Sequence, residues 1–242
     1  MLISIITVTY NCKADIKKTL DSVAMQDFED YEMLIIDGNS DDGTLQVIDQ
    51  YVNSIHNLKI SSEPDNGIYD AMNKGIKKAV GKYLYFLNAG DYFTESNVLT
   101  KVASKFITDK DIYYGTVLWG GSIQYYPEKL NCFWLVYREQ MICHQALFAK
   151  RELYNDFPYD TSFKICADRE WLIRVLKADA AYESIQDITI CFYDGNGVSS
   201  VYSKFDKESI RLARLYGGTP AVAFVKIKRA MGKIIRRLIK KQ

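Results

Sequence analysis

The first 93 residues alternate three times between a strand pattern and a helix pattern, and this alternation constrains the fold more than any other feature. Four segments rich in Ile, Val, Leu or Tyr have the pattern of strands: 2–9, 31–36, 58–61 and 83–87. The segments between them carry apolar residues at helical spacing: 16–25, 45–52 and 68–80. Such alternation predicts an α/β fold with a mostly parallel sheet, right-handed crossovers and flanking helices.

Polar loops that carry Asp or Asn follow the predicted strands. Asp37 ends the second strand, Asp65 and Asp70 flank the turn after the third, and Asp91 follows the aromatic fourth strand. The carboxyl ends of parallel strands meet at one edge of the sheet, where α/β proteins bind ligands. Clustered carboxylates repel one another unless a cation or ligand hydrogen bonds offset the repulsion. The oxygen donors favour a hard divalent cation, Mn²⁺ or Mg²⁺, shared with ligand phosphates.

Beyond residue 95 the alternation is less regular. Apolar spacing predicts helices over 98–106 and 167–176. Strands are predicted at four places: 111–118, 122–126, 144–149 and 187–193. The length and the 48% apolar content suit one globular domain with a full core.

Cysteine and glycine patterns exclude several classes of protein. The five cysteines form no CxxC pair and only two histidines are present, which argues against a zinc site or a disulfide scaffold and favours reduced, cytosolic thiols. GxGxxG and GxxxxGK[ST] motifs are absent, which argues against dinucleotide and P-loop binding. The apolar run at the N-terminus is too short for a transmembrane helix and lacks the layout of a signal peptide.

Charge divides the chain at Glu208. The residues up to that point carry 21 Lys and Arg against 30 Asp and Glu, whereas the 209–242 tail carries ten basic residues and no acid. Apolar residues recur at helical spacing over 221–239, which predicts a basic, amphipathic C-terminal helix. Such a helix binds an anionic membrane surface, and an ordinary packed helix with a solvated face is the alternative. The acidic body argues against a nucleic-acid partner.

Several short motifs occur in a fixed order: 7–11 (TVTYN), 35–44 (IIDGNSDDGT), 65–75 (DNGIYDAMNKG), 87–91 (LNAGD), 144–145 (HQ) and 167–170 (ADRE). In this order they resemble the signatures of family 2 glycosyltransferases, and most closely the subgroup that builds exopolysaccharide, colanic-acid-type and O-antigen units in bacteria. The resemblance spans about residues 1–200. It implies the GT-A fold, with a Rossmann-like nucleotide-binding half over 1–95, an acceptor-side half over 96–208, and the tail after it.

The resemblance also implies roles for individual residues. It assigns eight residues to the nucleotide-sugar donor: Thr7, Thr9, Tyr10, Asp37, Asp65, Tyr69, Asn73 and Asn88. Asp91 is assigned to the metal together with His144, and Asp168 to the general base. The family often has two adjacent acids where this chain has Gly90-Asp91, which leaves one carboxylate for the metal.

Plain structural roles compete with several of these assignments. Asp70 and Asn73 lie where a helix begins and Asp168 opens another helix, so each could be a helix cap. His144 could be a hydrogen-bonded histidine of the core. Trp119, Trp134 and the Tyr-rich segment around them could pack in the core or stack on sugars.

The resemblance, taken with these residues, predicts an inverting, metal-dependent glycosyltransferase. Its expected donor is a nucleoside-diphosphate sugar, with UDP favoured, and its acceptor is a saccharide or polyprenyl-linked saccharide of a bacterial surface polysaccharide. The expected location is cytoplasmic, peripheral on the inner face of the plasma membrane. Two alternatives stay open: a nucleotidyltransferase of similar sheet topology and a non-catalytic carbohydrate-binding protein.

Overall fold

A computed structural model describes residues 1–137, 141–195 and 202–239, and in the last segment the side chains of 205–232. The strands of these residues are β1 (Ile3–Thr9), β2 (Tyr31–Asp37), β3 (Leu58–Ser62), β4 (Tyr83–Phe86), β5 (Tyr92–Phe93), β6 (Ile112–Trp119), β7 (Ser122–Gln124), β8 (Leu147–Lys150) and β9 (Tyr182–Tyr193). The helices are α1 (Ile16–Ala24), α2 (Thr44–Asp49), α3 (Ile68–Lys78), α4 (Val98–Lys105), α5 (Cys132–Val136), α6 (Arg151–Asp156), α7 (Ala167–Lys177) and α8 (Tyr202–Ile239). Short 3₁₀ turns occur at Phe106–Thr108 and His144–Ala146.

The described strands form one mixed sheet in the order β3-β2-β1-β4-β8-β6-β9-β5, and β7 pairs with β6. β1, β2, β3 and β4 run parallel, which confirms the prediction from the alternation. β8 is antiparallel to both of its neighbours, β4 and β6, whereas β9 is parallel to β6. The second half of the chain therefore extends the sheet that the first half begins.

Strands β2 and β4 are mostly apolar, and the acids Glu32 and Asp37 of β2 are buried with them. Every residue of β2 and of β4 is buried, as in strands that are covered on both faces. In α3 the buried residues recur at helical spacing, and this helix packs on β1 and β2. Burial of these apolar faces holds the carboxyl ends of the parallel strands in a rigid frame.

The loop after β4 is fixed by α1. Gly90 has φ +96°, a left-handed conformation that favours glycine. The Thr19 hydroxyl accepts from the Gly90 N–H at 2.9 Å and donates to the carbonyl oxygen of Asp91 at 2.7 Å. The position of the Asp91 backbone is therefore set by a side chain of a neighbouring helix.

Some predicted boundaries differ from the structure. The strand expected over 144–149 begins only at Leu147, because His144–Ala146 forms a 3₁₀ turn. The last strand begins at Tyr182 rather than 187, because β9 pairs with almost the whole of β6. The predicted helix over 167–176 is confirmed as α7.

The domain border predicted after residue 208 falls inside α8. This helix bends at Gly218, whose φ is 63° and ψ is −160°, just before Pro220. Proline lacks the N–H that would continue the helical ladder, which explains the bend. Leu212 before the bend and Val225 after it are fully buried. Residues on both sides of the bend therefore pack against the rest of the chain.

Candidate active site

A cavity of about 1060 Å³ opens at the carboxyl ends of the parallel strands. It is lined by residues from the N-terminal half and by residues near β8, β9 and the start of α7. The predicted site residues that line it are Thr9, Tyr10, Asp65, Tyr69, Asn88, Asp91, His144 and Asp168. The topology thus brings eight of the predicted residues to one place, although they are scattered over 160 positions of the chain.

Asp37 is the main exception, because its carboxylate is enclosed and does not line the cavity. It accepts hydrogen bonds from the hydroxyls of Thr9 at 2.9 Å, Ser62 at 2.7 Å and Ser40 at 2.5 Å, and from the Ser40 N–H at 2.9 Å. Burial alone would raise the pKa of Asp37, but these bonds outweigh it and lower the pKa below the ordinary 3.8. In this structure Asp37 joins β1, β2 and β3 through these hydrogen bonds.

Thr7 and Asn73 also lie outside the cavity wall. The Thr7 hydroxyl donates to the carbonyl oxygen of Leu87 at 2.7 Å, which ties β1 to the end of β4. The Asn73 amide donates to the carbonyl oxygen of Tyr159 and accepts from its N–H, at 2.9 and 3.0 Å. Both side chains support the wall from behind, since their polar atoms are used by the backbone.

The side of the cavity near the ends of β1 and β3, which the resemblance assigns to the nucleotide, is open and partly aromatic. The Tyr10 side chain is 68% exposed, and Asp65 accepts from the Gly67 N–H at 2.8 Å. A Cβ on Gly38 would lie 2.5 Å from Asp65 Oδ2 and 3.3 Å from the Tyr10 ring. The glycine after Asp37 therefore allows these two side chains to approach the backbone closely.

Asp91 is 4% exposed and held by two donors. Gln145 donates its amide to Oδ2 at 2.6 Å, and the Asp194 N–H donates to Oδ1 at 2.9 Å. Burial nevertheless raises the pKa of Asp91, because two neutral donors do not replace the lost hydration. Its carboxylate is thus poised to gain from a cation nearby.

His144 links Asn88 to Asp168. Asn88 Nδ2 lies 2.9 Å from His144 Nε2, and because an amide nitrogen can only donate, Nε2 accepts. The neutral ring then carries its proton on Nδ1, which lies 3.3 Å from Asp168 Oδ2. His144 is therefore a hydrogen-bonded histidine on the cavity wall, and it orients the Asp168 carboxylate.

The other oxygen of Asp168 is held by the start of α7 and by α3. The Arg169 N–H donates to Oδ1 at 2.8 Å, and the Tyr69 hydroxyl lies 3.2 Å away. Burial, followed by the charge of Asp168, raises the pKa of Tyr69 well above 10, so its hydroxyl keeps its proton. The helix begins at Ala167 and its N-cap is Cys166, so Asp168 lies in the first turn and is not the N-cap, and it faces the cavity with two side-chain partners.

Two supporting residues were missed at the sequence level. Gln145 lies in the 144–145 motif with no role assigned to it, yet its amide donates to the Asp91 carboxylate. The Glu208 carboxylate accepts from three successive backbone N–H groups, those of 164–166, at 2.7 to 2.9 Å. This fixes the segment that leads into Asp168. Nothing in the local sequence marks Glu208, because its partners lie more than 40 residues away.

The donor set suits a cation that is shared with a ligand. Among the described residues no group of three or more His, Cys, Asp or Glu could hold a metal ion without other ligands. Asp91 keeps a second lone pair on each oxygen, and Asn88 Oδ1 is buried without a hydrogen-bond partner on the same wall. Mg²⁺ is commonly bound by one or two carboxylates together with substrate phosphates. The residues present therefore fit a divalent cation held between Asp91 and a diphosphate.

Similarity to known proteins agrees with this geometry. Residues 4–174 match the family described as Glycosyl transferase family 2. The chain is 32% identical over 208 residues to a PGL/p-HBAD biosynthesis glycosyltransferase of Mycobacterium tuberculosis, which covers 81% of this chain and 78% of the relative. It is 34% identical over 113 residues to the poly(ribitol-phosphate) beta-N-acetylglucosaminyltransferase TarS of Staphylococcus aureus, or 45% of this chain and 19% of that protein.

Solved structures share the fold at low sequence identity. S. aureus TarS 1-349 in complex with UDP-GlcNAc superposes with a TM-score of 0.70 at 19% identity, over 93% of this chain and 70% of that one. A mannosyltransferase of Pyrobaculum calidifontis in complex with GDP-Man and Mn²⁺ gives a TM-score of 0.64 at 14% identity, over 96% and 75%. The architecture is the GT-A fold that the motifs implied. By the match of its residues 4–174 and its 32% identity to a relative matched over 78% of that relative's length, the chain belongs to glycosyl transferase family 2.

Proposed function

We propose that this glycosyltransferase is inverting and metal-dependent, and that it uses a UDP-sugar. The observation that carries the proposal is the pair of carboxylates on one cavity wall: Asp168, oriented by His144 and Tyr69, and Asp91, held by Gln145. One suits a base for the acceptor and the other suits a cation at the diphosphate. The related TarS structure was solved with UDP-GlcNAc, which favours a uridine donor.

The proposed reaction is a single displacement. The acceptor hydroxyl oxygen attacks the anomeric carbon, the bond from that carbon to the diphosphate oxygen breaks, and the hydroxyl proton passes to Asp168. Attack from the face opposite the leaving group inverts the anomeric configuration. The contacts of Asp168 keep its carboxylate aimed at the cavity, so little reorganisation is needed when the acceptor binds.

Asp91 and His144 are the residues that would hold Mn²⁺ or Mg²⁺. The bound cation would supply charge neutralisation at the departing diphosphate. Gln145 and the Asp194 N–H set the direction of the Asp91 carboxylate, and α1 sets its backbone. If His144 turns toward the cation, its contact with Asp168 is lost.

The experiment is a donor screen with product analysis. Thermal shift with UDP-glucose, UDP-galactose, UDP-GlcNAc and GDP-mannose selects the donor, since a ligand that binds only the folded state stabilises it. Release of UDP and the anomeric proton coupling of the glycoside then report the reaction. Retention of configuration would contradict the proposal. Release of pyrophosphate would favour a nucleotidyltransferase, and binding without turnover would favour a carbohydrate-binding protein.

We further propose that the acceptor is a saccharide or polyprenyl-linked saccharide of a bacterial surface polysaccharide, and that α8 lies on the membrane that carries it. The named relatives concern cell-surface glycans. After the bend of α8, Phe224, Ile227 and Met231 are 44%, 60% and 57% exposed, and they alternate with basic residues. No described helix is long and apolar enough to cross a bilayer. Such a face suits the anionic inner leaflet, with the enzyme on the cytoplasmic side.

Flotation with vesicles tests the membrane proposal. Vesicles that contain phosphatidylglycerol should carry the protein upward, salt should weaken this binding, and pure phosphatidylcholine should bind less. The double substitution Phe224→Ser with Ile227→Ser should abolish flotation. Ile107→Ser is the matched control, because Ile107 is 88% exposed on the 3₁₀ turn after α4. Equal flotation of both variants would overturn the proposal. The basic side chains beyond 232 lie outside the described ones.

A further inference from the structure

A second, smaller cavity of about 200 Å³ adjoins the main one, and we call it the side cavity. Its characteristic lining residues are Gln124, Tyr125, Tyr126, Lys129, Asn131 and Trp134. Three residues, Gln124, Tyr126 and Met141, line both cavities. The shared residues place the side cavity directly beside the main one.

The side cavity lies toward the base and away from the nucleotide side. The Tyr126 hydroxyl accepts from the Cys143 N–H at 3.3 Å, and the next residue is His144, which contacts Asp168. On the nucleotide side, Tyr10 directly follows β1. β7, which carries Gln124, pairs with β6, and β4 and β8 separate β6 from β1 in the sheet. A molecule that reaches from Asp168 into the side cavity thus points away from the donor.

The loop that forms the side cavity is held from the sheet. The Tyr114 hydroxyl of β6 lies 2.7 and 2.9 Å from the carbonyl oxygens of Pro127 and Glu128. From β9, the Tyr182 hydroxyl accepts from the Leu130 N–H at 3.0 Å, and Gln186 accepts from the Tyr126 N–H at 2.7 Å. Backbone that is anchored in this way keeps its shape before a ligand binds, which lowers the entropy cost of binding.

The lining combines aromatic rings with amide groups. Tyr125, Tyr126 and Trp134 offer flat apolar faces. Gln124 donates its amide to Ser122 and Asn131 Oδ1 accepts from the Trp134 N–H, so the other end of each amide is the part that could bond a hydroxyl. A sugar ring has the matching chemistry, with C–H groups on its faces and hydroxyls on its rim. The volume falls below the range of about 300–1,000 Å³ for pockets that hold drug-sized ligands. It suits one sugar ring and excludes a nucleotide.

We propose that the side cavity binds the second sugar unit of the acceptor, the unit next to the sugar that receives the transferred group. This inference rests on the proposed function, because it takes Asp168 as the base. It makes the preferred acceptor at least a disaccharide. Tyr125 is then a specificity-determining residue, since its ring is 70% exposed and contributes little to the core.

A printed glycan array tests the assignment directly. Fluorescently labelled protein, with UDP present, is applied to mono-, di- and trisaccharides. We expect retention on one or more di- or trisaccharides and at least tenfold less on the corresponding monosaccharide. Tyr125→Ala should reduce that retention about tenfold, as expected for loss of one stacking contact. Phe133→Ala is the matched control, because Phe133 is an exposed aromatic on α5 that lines neither cavity.

Donor hydrolysis without acceptor separates this inference from the proposed function. Tyr125→Ala should release UDP from the donor at the wild-type rate, because Tyr125 does not line the main cavity. Equal retention of mono- and longer saccharides, no retention of any glycan, or equal loss in Tyr125→Ala and Phe133→Ala would overturn the side-cavity assignment. Absence of donor hydrolysis in the wild type would instead count against the proposed function.

Discussion

Asp37 and Asp91 follow two strands of the same sheet edge, and both are almost completely buried, yet their environments differ. Asp37 accepts four hydrogen bonds, three of them from hydroxyls, and its pKa is lowered. Asp91 accepts two, and burial raises its pKa. Burial alone therefore does not decide what a carboxylate does. The number of donors decides whether its charge is satisfied by the fold or remains for a ligand.

The same contrast separates their neighbours. Thr7 and Asn73, behind the cavity wall, use their polar atoms on the backbone. Asn88, on the wall, keeps a buried Oδ1 without a hydrogen-bond partner. An unsatisfied polar atom costs stability, so its presence at the cavity wall is expected where a ligand completes the set. Thr7 and Asn73 therefore support the fold, whereas Asn88 keeps a polar atom available to a ligand.

The largest effect should come from Asp168, which we propose takes the proton of the acceptor hydroxyl. Asp168→Asn should lower the rate of glycosyl transfer about 1,000-fold, because the amide cannot accept a proton. Its thermal unfolding should stay near that of wild type, since most of its contacts remain possible for an amide. Initial rates of transfer and a melting curve measure both. Asp156→Asn, an exposed acid on α6, is the control and should behave as wild type.

Removal of the metal should come next. EDTA should stop UDP release by the wild type and Mn²⁺ should restore it, while Asp91→Asn should lose about 100-fold in turnover and require more Mn²⁺. Titration of activity against Mn²⁺ is the measurement. Full activity of the wild type in EDTA would contradict the proposed role of the cation, and the diphosphate would then be stabilised by hydrogen bonds alone.

Replacing each carboxylate by an amide should change the free energy of unfolding in different directions. Asp37→Asn should lower the free energy of unfolding by about 2 kcal/mol, because its amide nitrogen would face hydroxyl and N–H donors. Asp91→Asn should leave that free energy at or above the wild-type value, because it removes a buried charge with few partners. Urea unfolding of the three proteins measures this. A loss in Asp91→Asn as large as that in Asp37→Asn would contradict the difference that we infer between the two carboxylates.

The pH dependence of stability should differ between the two carboxylates, because the pKa of Asp37 is lowered and the pKa of Asp91 is raised. The pKa of Asp37 is lowered from 3.8, so its contribution to stability is present above that pH and is lost as the pH falls below it. The pKa of Asp91 is raised, so its contribution is present below pH 3.8 and is lost as the pH rises through the raised value. The deficit of Asp37→Asn should therefore shrink in acid, whereas any gain in Asp91→Asn should appear only above pH 3.8. Urea unfolding from acid to neutral pH resolves the two trends.

The smallest effect should come from Asn88. Asn88→Ala removes the donor to His144 Nε2, so the ring loses its fixed orientation toward Asp168. Turnover should fall about fivefold, as expected for one hydrogen bond of about 1 kcal/mol. Asn88→Asp should restore orientation only when His144 is protonated, which a pH–rate profile would reveal.

The strand-and-helix alternation and the ordered motifs determined most of this protein. They predicted the parallel strands, the GT-A fold, the family and eight of the cavity-lining residues, because local patterns and strand ends are written in nearby residues. The metal, the inverting mechanism and the membrane contact stay predictions that experiment must test.

Only the tertiary structure decided which acids are satisfied. Asp37 and Asp91 look alike in sequence, since each follows an apolar strand and sits beside a glycine. Ser62 approaches Asp37 because β3 pairs with β2, and Gln145 and Asp194 approach Asp91 from 54 and 103 residues away. Hydrogen bonds depend on distances in space, and no local pattern contains them. The alternation therefore placed the carboxylates at one edge, and the packing of distant segments assigned their roles.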